Sequence, residues 1–287
     1  MKVLVLGSGG QVGTAVVAAV PAQHEVIAKT RTELDIGDEQ AVKRVLVETH
    51  ADWIVNAAAY TAVDLAEDQQ AVAIAANDTA VGALVAATSV AGCRLLHLST
   101  DFVFDGIASE AYLPTAQTNP LSVYGLSKLN GERRVLSAGT GIVLRTSWVY
   151  AAAGRNFVLT MLRLMREKEQ LSVVCDQIGT PTWAAGIAAA IWSLIELAAP
   201  GGVYHWTDLG VASWYDFAVA IQDEALARGL LNRAVPILPI PSSAYPTRAR
   251  RPAFSVLNTE STRALLKAPA RHWRHNLRMM LDELRTA

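Results

Sequence analysis

The sequence predicts an α/β fold: a doubly wound parallel sheet with a smaller, interleaved C-terminal lobe. Two observations support this prediction. Short apolar runs alternate with longer helix-like segments through the first half of the chain, a pattern typical of a parallel sheet covered by helices on both faces. The runs are almost continuously apolar, as expected for strands that are buried on both faces.

The first half of the chain supplies five strands and four helices. The first strand ends at a glycine-rich turn, and each later strand is followed by a segment with helical spacing of apolar residues. A strand that passes through a glycine turn into a helix is the usual beginning of a Rossmann-type fold. We predict strands at residues 2–6, 25–28, 53–57, 94–98 and 142–145, and helices at 11–20, 38–49, 69–91 and 120–137.

The second half is less regular, and part of it is predicted to return to the sheet. A segment with five prolines, 236–252, must be loop or extended structure because proline does not fit a helix interior. We assign residues 1–150, with return segments at about 183–208, to the Rossmann domain, and 151–287, mainly 151–182 and 209–287, to the lobe. The predicted helices are 156–168, 183–197, 213–227 with Ser213 as N-cap, one opened by Thr259, and 271–285; the strands are 171–175 and 202–206.

Composition limits the classes of function. The 287 residues carry a formal net charge of −1 and no basic run, which argues against nucleic-acid binding. No apolar run is expected to reach the roughly 20 residues of a membrane span. Cys93 and Cys175 lie in separate apolar runs, so we expect buried free thiols and a cytoplasmic protein, with monomer and homodimer both open.

Three glycines in the first turn point to a dinucleotide. Gly7 permits the tight turn, Gly10 lets the backbone approach a pyrophosphate, and Gly13 allows the helix and the strand to pack closely. The helix N-terminus then offers free N–H groups and the positive end of its dipole to the phosphates. Placement directly after the first strand favours dinucleotide binding over a plain strand-to-helix turn.

The end of the second strand indicates which dinucleotide binds. NAD-selective sites usually place Asp or Glu there to hold the ribose hydroxyls, but this chain has Lys29, Thr30 and Arg31. Two cations suit a 2′-phosphate, so we predict NADPH as the cofactor and leave NADH open. Asp35 and Ile36 are predicted to flank the adenine.

A hydroxyl, a tyrosine and a lysine predict hydride transfer at a carbonyl. Tyr124 and Lys128 lie four residues apart in a helical stretch and so share one face, and Thr100 follows the fourth strand. A tyrosine holds its proton at neutral pH and donates it reluctantly, whereas a neighbouring ammonium would lower its pKa. We predict Tyr124 as the acid, Lys128 as the group that lowers the Tyr124 pKa, and Thr100 as the hydroxyl that aligns the substrate oxygen.

These elements, in this order, resemble the extended short-chain dehydrogenases/reductases. Further segments are similar to the dTDP-4-dehydrorhamnose reductase family over nearly the whole chain: 55–64, 98–106, 144–150, 176–182, Arg251-Pro252 and 257–259. The resemblance implies NADPH-dependent reduction of the C4 ketone of dTDP-4-dehydro-L-rhamnose to dTDP-L-rhamnose. This reaction is the last step of dTDP-rhamnose biosynthesis, which supplies cell-surface polysaccharides.

Individual roles follow from the resemblance, position by position. Thr100, Tyr124 and Lys128 would form the catalytic group. Thr100 would also bind the nucleotide-sugar substrate, together with Trp148, Asn156 and Arg251. Arg251 is the candidate for the diphosphate, because an arginine can hold a phosphate with two hydrogen bonds. Together with Arg31, the expected cofactor contacts are Gly7, Gly10, Gln11, Val12, Asp35, Ile36, Ala57, Ala58, Ala59, Tyr124 and Lys128.

One departure from the family concerns metal. Some family members form dimers through a magnesium ion held by glutamates, one of which lies just after the glycine turn. Here Gly13 is followed by Thr14, Ala15 and Val16, none of which carries a carboxylate. We therefore predict no metal site.

Other functions of the same fold stay open. A reductase or epimerase could act on another nucleotide-linked 4-ketosugar, and a non-catalytic regulatory subunit could keep the fold without turnover. Dehydratases of the superfamily place Asp-Glu after the catalytic threonine, but Asp101-Phe102 stands here, which argues against dehydration. The intact set of Thr100, Tyr124 and Lys128 favours an enzyme.

Overall fold

A computed structural model describes residues 1–269 and 271–286 of the chain. Its centre is a six-stranded sheet, and the strands are joined by helices. The sheet comprises β1 (Lys2–Leu6), β2 (Glu25–Lys29), β3 (Trp53–Asn56), β4 (Arg94–Thr100), β5 (Ile142–Thr146) and, after the first lobe segments, β10 (Gly202–His205). The helices between them are α1 (Gln11–Ala18), α2 (Glu39–Thr49), α3 (Val63–Asp68), α4 (Gln70–Ile74), α5 (Ala80–Ala91) and α6 (Val123–Ser137), with α8 (Ala184–Glu196) before β10.

All six strands run parallel, in the order β10-β5-β4-β3-β1-β2. The chain steps from β1 to β2 on one side and then returns to place β3 on the other side, so the order reverses between β1 and β3. Ligands of such sheets bind outside the carboxyl ends of the strands at this reversal. The predicted doubly wound α/β class is therefore confirmed, and the topology fixes where its cleft lies.

Alternate residues of the first strand show how both faces of the sheet are covered. Val3 and Val5 pack in a core with α1 and α8, whereas Leu4 and Leu6 pack in a second core with α2 and α5. Because successive strand residues point to opposite faces, a strand between two helical layers must be apolar at every position. This explains why the runs of the sequence lack the alternation of a half-exposed strand.

Two glycines allow the first turn to pack tightly. Gly7 has a φ of +73°, and a Cβ there would lie 2.6 Å from the backbone nitrogen of Ala58. A Cβ on Gly13 would lie 2.2 Å from the carbonyl oxygen of Gly7. Both positions are closed to any side chain, which matches the roles predicted for them. They also set the turn directly against the segment that follows β3.

The predicted helix 69–91 is interrupted by a π-helical turn. Regular α4 and α5 flank the π turn Ala75–Thr79, whose Asn77 is 1% exposed and bonds to the loop after β3 and to α6. By length and composition alone the stretch Gln70–Ala91 could cross a membrane, contrary to the expectation from the sequence. Here it packs against α2 and α6, so it serves as a core helix of this fold.

The later segments form a lobe with its own apolar core. Its helices are α7 (Phe157–Glu167), α9 (Trp214–Ala227), α10 (Glu260–Leu266) and α11 (Trp273–Thr286). Three two-stranded sheets pair β6 (Val149–Tyr150) with β9 (Thr182–Trp183), β7 (Leu171–Val174) with β12 (Ile237–Ile240), and β8 (Ile178–Gly179) with β11 (Ala212–Ser213). Side chains of α7, α9 and α11 meet in one cluster around Phe217 and Met165.

Most predicted elements are confirmed within a few residues, and side-chain caps explain several boundaries. Asp38, Ser122, Asn156 and Ser213 each accept a backbone N–H bond at a helix start. The proline-rich segment is extended at β12 and otherwise loop with a 3₁₀ turn, Ser242–Ala244, as predicted. One expectation needs correction: the two free cysteines are half-buried, not buried. The lobe strand β7 was predicted at 171–175 and lies at Leu171–Val174. The other short strands of the lobe and α3 were not predicted because each is too short to show periodicity.

Candidate active site

Helix α6 is anchored at its start by polar contacts from two other elements. The Ser122 side chain accepts the N–H of Gly125, and the Glu67 carboxylate of α3 accepts the N–H of Val123 at 2.9 Å. A Cβ on Gly125 would lie 2.3 Å from the carbonyl oxygen of Phe102, so this glycine lets α6 approach the segment after β4. The helix that carries Tyr124 and Lys128 is thereby fixed against the end of β4.

Tyr124 lies in a small apolar cluster beside Thr100. Its ring meets the Phe102 ring edge to face at 5.6 Å between centroids. Burial raises the pKa of Tyr124 to about 12; a hydrogen bond from Thr100 opposes the rise and the nearby Asp101 adds to it. The structure therefore brings the predicted acid and the predicted aligning hydroxyl together, and Tyr124 is a protonated phenol at neutral pH.

Thr100 connects the end of β4 to the segment that follows. Its hydroxyl donates to the Asp101 carboxylate at 3.0 Å and accepts the N–H of Phe102 at 3.2 Å. Burial raises the pKa of Asp101 to about 6, against hydrogen bonds from Ser255 and Thr100. These contacts hold the Thr100 hydroxyl at the carboxyl edge of the sheet, where the cleft opens.

Lys128 points along β4. Its Nζ donates to the carbonyl oxygen of Leu98 at 2.6 Å and lies 3.2 Å from Nε2 of His97. Burial lowers the pKa of Lys128 to about 8, while the carboxylate of Glu132 acts to raise it. The sequence predicts that Lys128 lowers the Tyr124 pKa. In this structure the Tyr124 pKa is raised, because burial is the largest influence on it and the Lys128 Nζ is turned toward His97 and Leu98.

Replacing Lys128 by methionine is expected to change how stability depends on pH. Because the pKa of Lys128 falls from 10.5 to about 8 on folding, the cost of burying its charge is fully present below pH 8 and fades toward pH 10.5. The wild type should therefore gain about 2 kcal/mol relative to Lys128→Met between about pH 7 and pH 9.5.

Urea denaturation of the wild type and Lys128→Met across this range measures the difference. Lys43→Met, on the outer surface of α2, is the control and should show no such trend. A Lys128→Met difference that stays flat with pH would contradict a lowered pKa.

A buried ion pair lies one turn beyond Lys128. Arg145 of β5 donates to both carboxylate oxygens of Glu132, with Nε–Oε1 at 2.9 Å and Nη2–Oε2 at 2.7 Å. Ser99 donates to the same carboxylate at 2.5 Å, and Nη1 of Arg145 lies 3.3 Å from Nε2 of His205. Tyr124, Lys128 and Glu132 thus occupy one stripe of α6, and the third of them ties this stripe to β4 and β5.

The glycine turn is built to receive phosphate. Helix α1 starts at Gly10 without a side-chain cap and has no acidic residue in its first turn, so its N-terminal dipole is left for an anion. The half-buried residues Ala57, Ala58 and Ala59 border this turn. These features fit the predicted dinucleotide. The same turn lines a cavity of about 330 Å³ whose other wall is the alanine-rich segment after β6.

Gln11 and Asn156 meet at this cavity. The Asn156 amide donates to the side-chain oxygen of Gln11 at 3.1 Å and to the carbonyl oxygen of Ala151 at 2.8 Å, and its own oxygen caps α7. One residue was predicted for the cofactor and the other for the substrate. Their direct contact marks the place where the Rossmann domain and the lobe adjoin.

The end of β2 carries an unpredicted carboxylate. Glu33 folds back to accept the N–H of Thr30 at 2.8 Å and its hydroxyl at 2.6 Å, and these bonds lower the Glu33 pKa. Arg31 is exposed and lies 3.8 Å from the Asp35 carboxylate; Ile36 is buried. Because the pair of Arg31 with Asp35 is long and exposed, a ligand phosphate can compete for the cation of Arg31.

Trp148 has a strained backbone and a covered ring. Its φ is +47°, a conformation that costs free energy in a non-glycine residue. The indole stacks on Trp214 at 3.5 Å with a 2° interplanar angle, and Gly179 lies against the ring so closely that a Cβ would be 2.5 Å away. A substrate can therefore meet only the edge of this indole, and Trp214 joins the site as a residue that the sequence did not reveal.

Arg251 already has an anionic partner. It holds the carboxylate of Asp64 with two hydrogen bonds of 3.0 and 2.8 Å, and Asp64 also accepts the N–H of Ala249. Arg248 and Asp68 form a second pair between the same two segments. For Arg251 to hold a diphosphate, as predicted, it must first release Asp64.

Metal ligands were not expected from the sequence. Within residues 1–269 and 271–286, no three side chains of His, Cys, Asp or Glu come together in a way that could hold a metal ion. The absence of a metal stays a prediction, because this observation covers only the side chains of a single chain.

Besides Glu33 and Trp214, sequence reasoning missed Glu132, Arg145 and the contact of His97 with Lys128. Glu132 follows Lys128 by four residues, so its position on the catalytic face of α6 was readable from helical spacing. Arg145 and His97 lie on neighbouring strands, and strand register is not visible in one sequence. His97 was expected to be a packed core residue, and it is fully buried.

Comparison with known proteins agrees with this architecture. The family model described as RmlD substrate binding domain matches residues 1–286. A dTDP-4-dehydrorhamnose reductase of Burkholderia thailandensis is 43% identical, with 99% of each chain covered. A spore coat polysaccharide biosynthesis protein, SpsK of Bacillus subtilis, is 38% identical over 100% of this chain and 99% of its own. The crystal structure of dTDP-4-dehydrorhamnose reductase from Bacillus anthracis in complex with NADP is 32% identical, with a TM-score of 0.93 over 98% of this chain and 99% of that one.

Proposed function

The chain belongs to the RmlD substrate binding domain family, and we propose that it uses NADPH to reduce the C4 ketone of dTDP-4-dehydro-L-rhamnose, forming dTDP-L-rhamnose. The observation that carries this proposal is the arrangement of Thr100 and Tyr124 at the carboxyl edge of the sheet, with Lys128 one turn along α6. Relatives named dTDP-4-dehydrorhamnose reductase support the choice of sugar. A relative named for spore coat polysaccharide biosynthesis supports a role in supplying such polymers.

The cofactor would lie across the reversal point between β1 and β3. Gly7, Gly10, Gln11 and Val12 would hold the pyrophosphate, and Ala57, Ala58 and Ala59 would border the nicotinamide half. Asp35 and Ile36 would flank the adenine, and Arg31 would hold the 2′-phosphate. When bound, NADPH supplies the hydride.

Three side chains of the protein supply the proton, align the carbonyl and stabilise the phenolate. Tyr124, kept protonated by burial, donates its phenolic proton to the oxygen that develops negative charge at C4. Thr100, whose one hydroxyl proton is donated to Asp101 in this structure, would turn it to the same oxygen and so align the carbonyl. Lys128 stabilises the phenolate that Tyr124 becomes, once its amine carries a proton, because a cation near a phenolate favours the ionised form.

The substrate would bind between the sheet edge and the lobe. Asn156 and the edge of Trp148 would border the sugar and its nucleotide, and Arg251 would turn from Asp64 to the diphosphate. We propose that residues 1–150 with the return of α8 and β10 bind the cofactor, and that the rest of the lobe binds the sugar. We also propose that the protein is cytoplasmic, that it is a monomer or a homodimer, and that it has neither a nucleic-acid nor a membrane partner.

NADPH oxidation with enzymatically generated dTDP-4-dehydro-L-rhamnose tests this function. Loss of absorbance at 340 nm, with dTDP-L-rhamnose as the product, is expected. Other dTDP-linked 4-ketosugars serve as controls for the sugar. Binding of NADPH without oxidation of it by any of these ketosugars would overturn the proposal in favour of a regulatory subunit.

Removing the cation at the end of β2 is expected to reduce the preference for NADPH. In Arg31→Ala the Kd of NADPH should rise about tenfold, because a charge-assisted hydrogen bond to the 2′-phosphate is lost. The Kd of NADH, which lacks this phosphate, should stay nearly constant. Titration calorimetry measures both constants, with the exposed Arg44→Ala variant of α2 as control. Equal losses for the two cofactors would show that Arg31 does not read the 2′-phosphate.

A further inference from the structure

Within residues 1–269 and 271–286, His97 is the only titratable strand residue whose side chain contacts the Lys128 amine. The residue is fully buried in β4. Its Nδ1 lies 3.0 Å from Nδ2 of Asn56, and its Nε2 lies 3.2 Å from Nζ of Lys128. No part of the reaction proposed above uses His97, yet it touches a residue of the catalytic group.

A backbone N–H group determines which ring nitrogen of His97 carries the proton. The N–H of Ala58 lies 3.1 Å from Oδ1 of Asn56, and a backbone N–H can only donate. The Asn56 atom that faces Ala58 must therefore be the oxygen, and the atom that faces His97 must be the NH₂ group, which also only donates. Nδ1 of His97 is thus an acceptor, and the single proton of the neutral ring is on Nε2.

Two donors would then face each other if Lys128 were an ammonium. An Nε2–H group and an NH₃⁺ group cannot form a hydrogen bond at 3.2 Å, whereas a neutral amine can accept from Nε2–H and still donate to the carbonyl oxygen of Leu98. The neutral amine is therefore the form of Lys128 that allows all four hydrogen bonds in the chain from Ala58 to Leu98.

We infer that His97 is a positioning residue for Lys128: its Nε2–H tautomer, imposed by Asn56 and Ala58, favours the uncharged amine of the lysine over the ammonium in the cofactor-free enzyme. His97 thereby sets the pH at which Lys128 gains the proton that its proposed role requires. The inference rests on the proposed function only for that role.

Other ionisable groups around Lys128 are already accounted for. Glu132, on the same helix, favours the ammonium, but two hydrogen bonds from Arg145 of β5 neutralise its carboxylate. The pKa of His97 is lowered well below its ordinary value, first by burial and then by Lys128, which agrees with a neutral ring. Within the described part of the chain, the other charged or titratable groups on elements packed against α6 include Arg94 of β4, Asp101 after β4, and Asp78 of the π turn, which is paired with Arg134. Tyr124 lies on α6 itself, and α3 contributes Glu67, Asp64 and Asp68, of which Asp64 pairs with Arg251 and Asp68 with Arg248.

NMR of the cofactor-free enzyme with ¹⁵N-labelled histidine and ¹³C-labelled lysine tests the inference. The His97 ring, identified by its absence in His97→Gln, should show a protonated Nε2 and a bare Nδ1. The Lys128 signal, identified by its absence in Lys128→Met, should titrate near pH 8. A His97 ring protonated at Nδ1 would overturn the inference.

The His97→Gln variant adds a readout that a merely structural residue would not move. A glutamine can present an oxygen to Lys128, so the Lys128 midpoint should rise by about one pH unit, and the alkaline limb of kcat/KM should move with it. His275→Gln, on the exposed side of α11, should change neither. An unchanged midpoint in folded His97→Gln would refute the inference. Because the NMR titrations need neither NADPH nor sugar, this failure is distinct from a failure of the proposed function.

Discussion

Tyr124→Phe is expected to lose turnover by a factor of about 10² to 10⁴ while binding NADPH as the wild type does. The substitution removes only the phenolic oxygen, and with it the proton that the developing C4 oxygen needs. The ring and its edge-to-face contact with Phe102 stay, so the fold of α6 is preserved. The loss should therefore appear in kcat, with little change in the melting temperature.

Steady-state kinetics with dTDP-4-dehydro-L-rhamnose and calorimetric titration of NADPH measure the two effects separately. Tyr204→Phe is the matched control: Tyr204 lies on the edge strand β10, two strands from β4, and its hydroxyl donates to the carbonyl oxygen of Pro200. Near-normal kcat in Tyr124→Phe would mean that another group delivers the proton.

Glu132→Gln is expected to cost about 3–5 kcal/mol of stability. The substitution leaves Arg145 as an uncompensated cation in a site where it is 3% exposed, with only weaker contacts to His205 and the carbonyl oxygen of Pro114. It also weakens the acceptor of the Ser99 hydroxyl. A loss of this size corresponds to a fall in melting temperature of about 10 °C for a chain of this length.

Chemical denaturation of Glu132→Gln against the wild type checks this value. Glu167→Gln is the control, because its pair with Arg163 is half exposed and such pairs contribute about 0–1 kcal/mol. The double variant Glu132→Leu/Arg145→Met should recover part of the loss, since an apolar pair leaves no buried charge. A loss below about 1 kcal/mol in Glu132→Gln would show that Arg145 finds full compensation elsewhere.

The sheet and the catalytic group could both be predicted from the sequence, and the physical reason is the same for each. Buried parallel strands are continuous apolar runs, and Tyr124 and Lys128 are linked by the short spacing of one helix. Thr100 could be added because parallel strands end at one edge, where catalytic groups collect. Each of these predictions depends on local spacing or on a general rule of sheet topology.

Most features of the site that the sequence did not reveal depend on contacts between residues far apart in the chain. Nothing near Arg251 in the sequence indicates that Asp64, 187 residues away, would hold it, and nothing near Trp148 indicates the stack with Trp214. The direction of the Lys128 side chain depends on which β4 atoms face it. Glu33 was overlooked because its carboxylate reaches the end of β2 by folding back over three residues.

The separation of the apolar cores has a consequence for how this protein can evolve. The glycine turn, Thr100 and the α6 stripe all lie before residue 146 and contact the sheet or the small cluster around Tyr124, whereas α7, α9 and α11 pack in a core of their own. A mutation that reshapes the lobe around Trp214 leaves the packing of the hydride-transfer machinery untouched. New sugar specificities can therefore arise by drift in one lobe while the chemistry of the other is inherited unchanged.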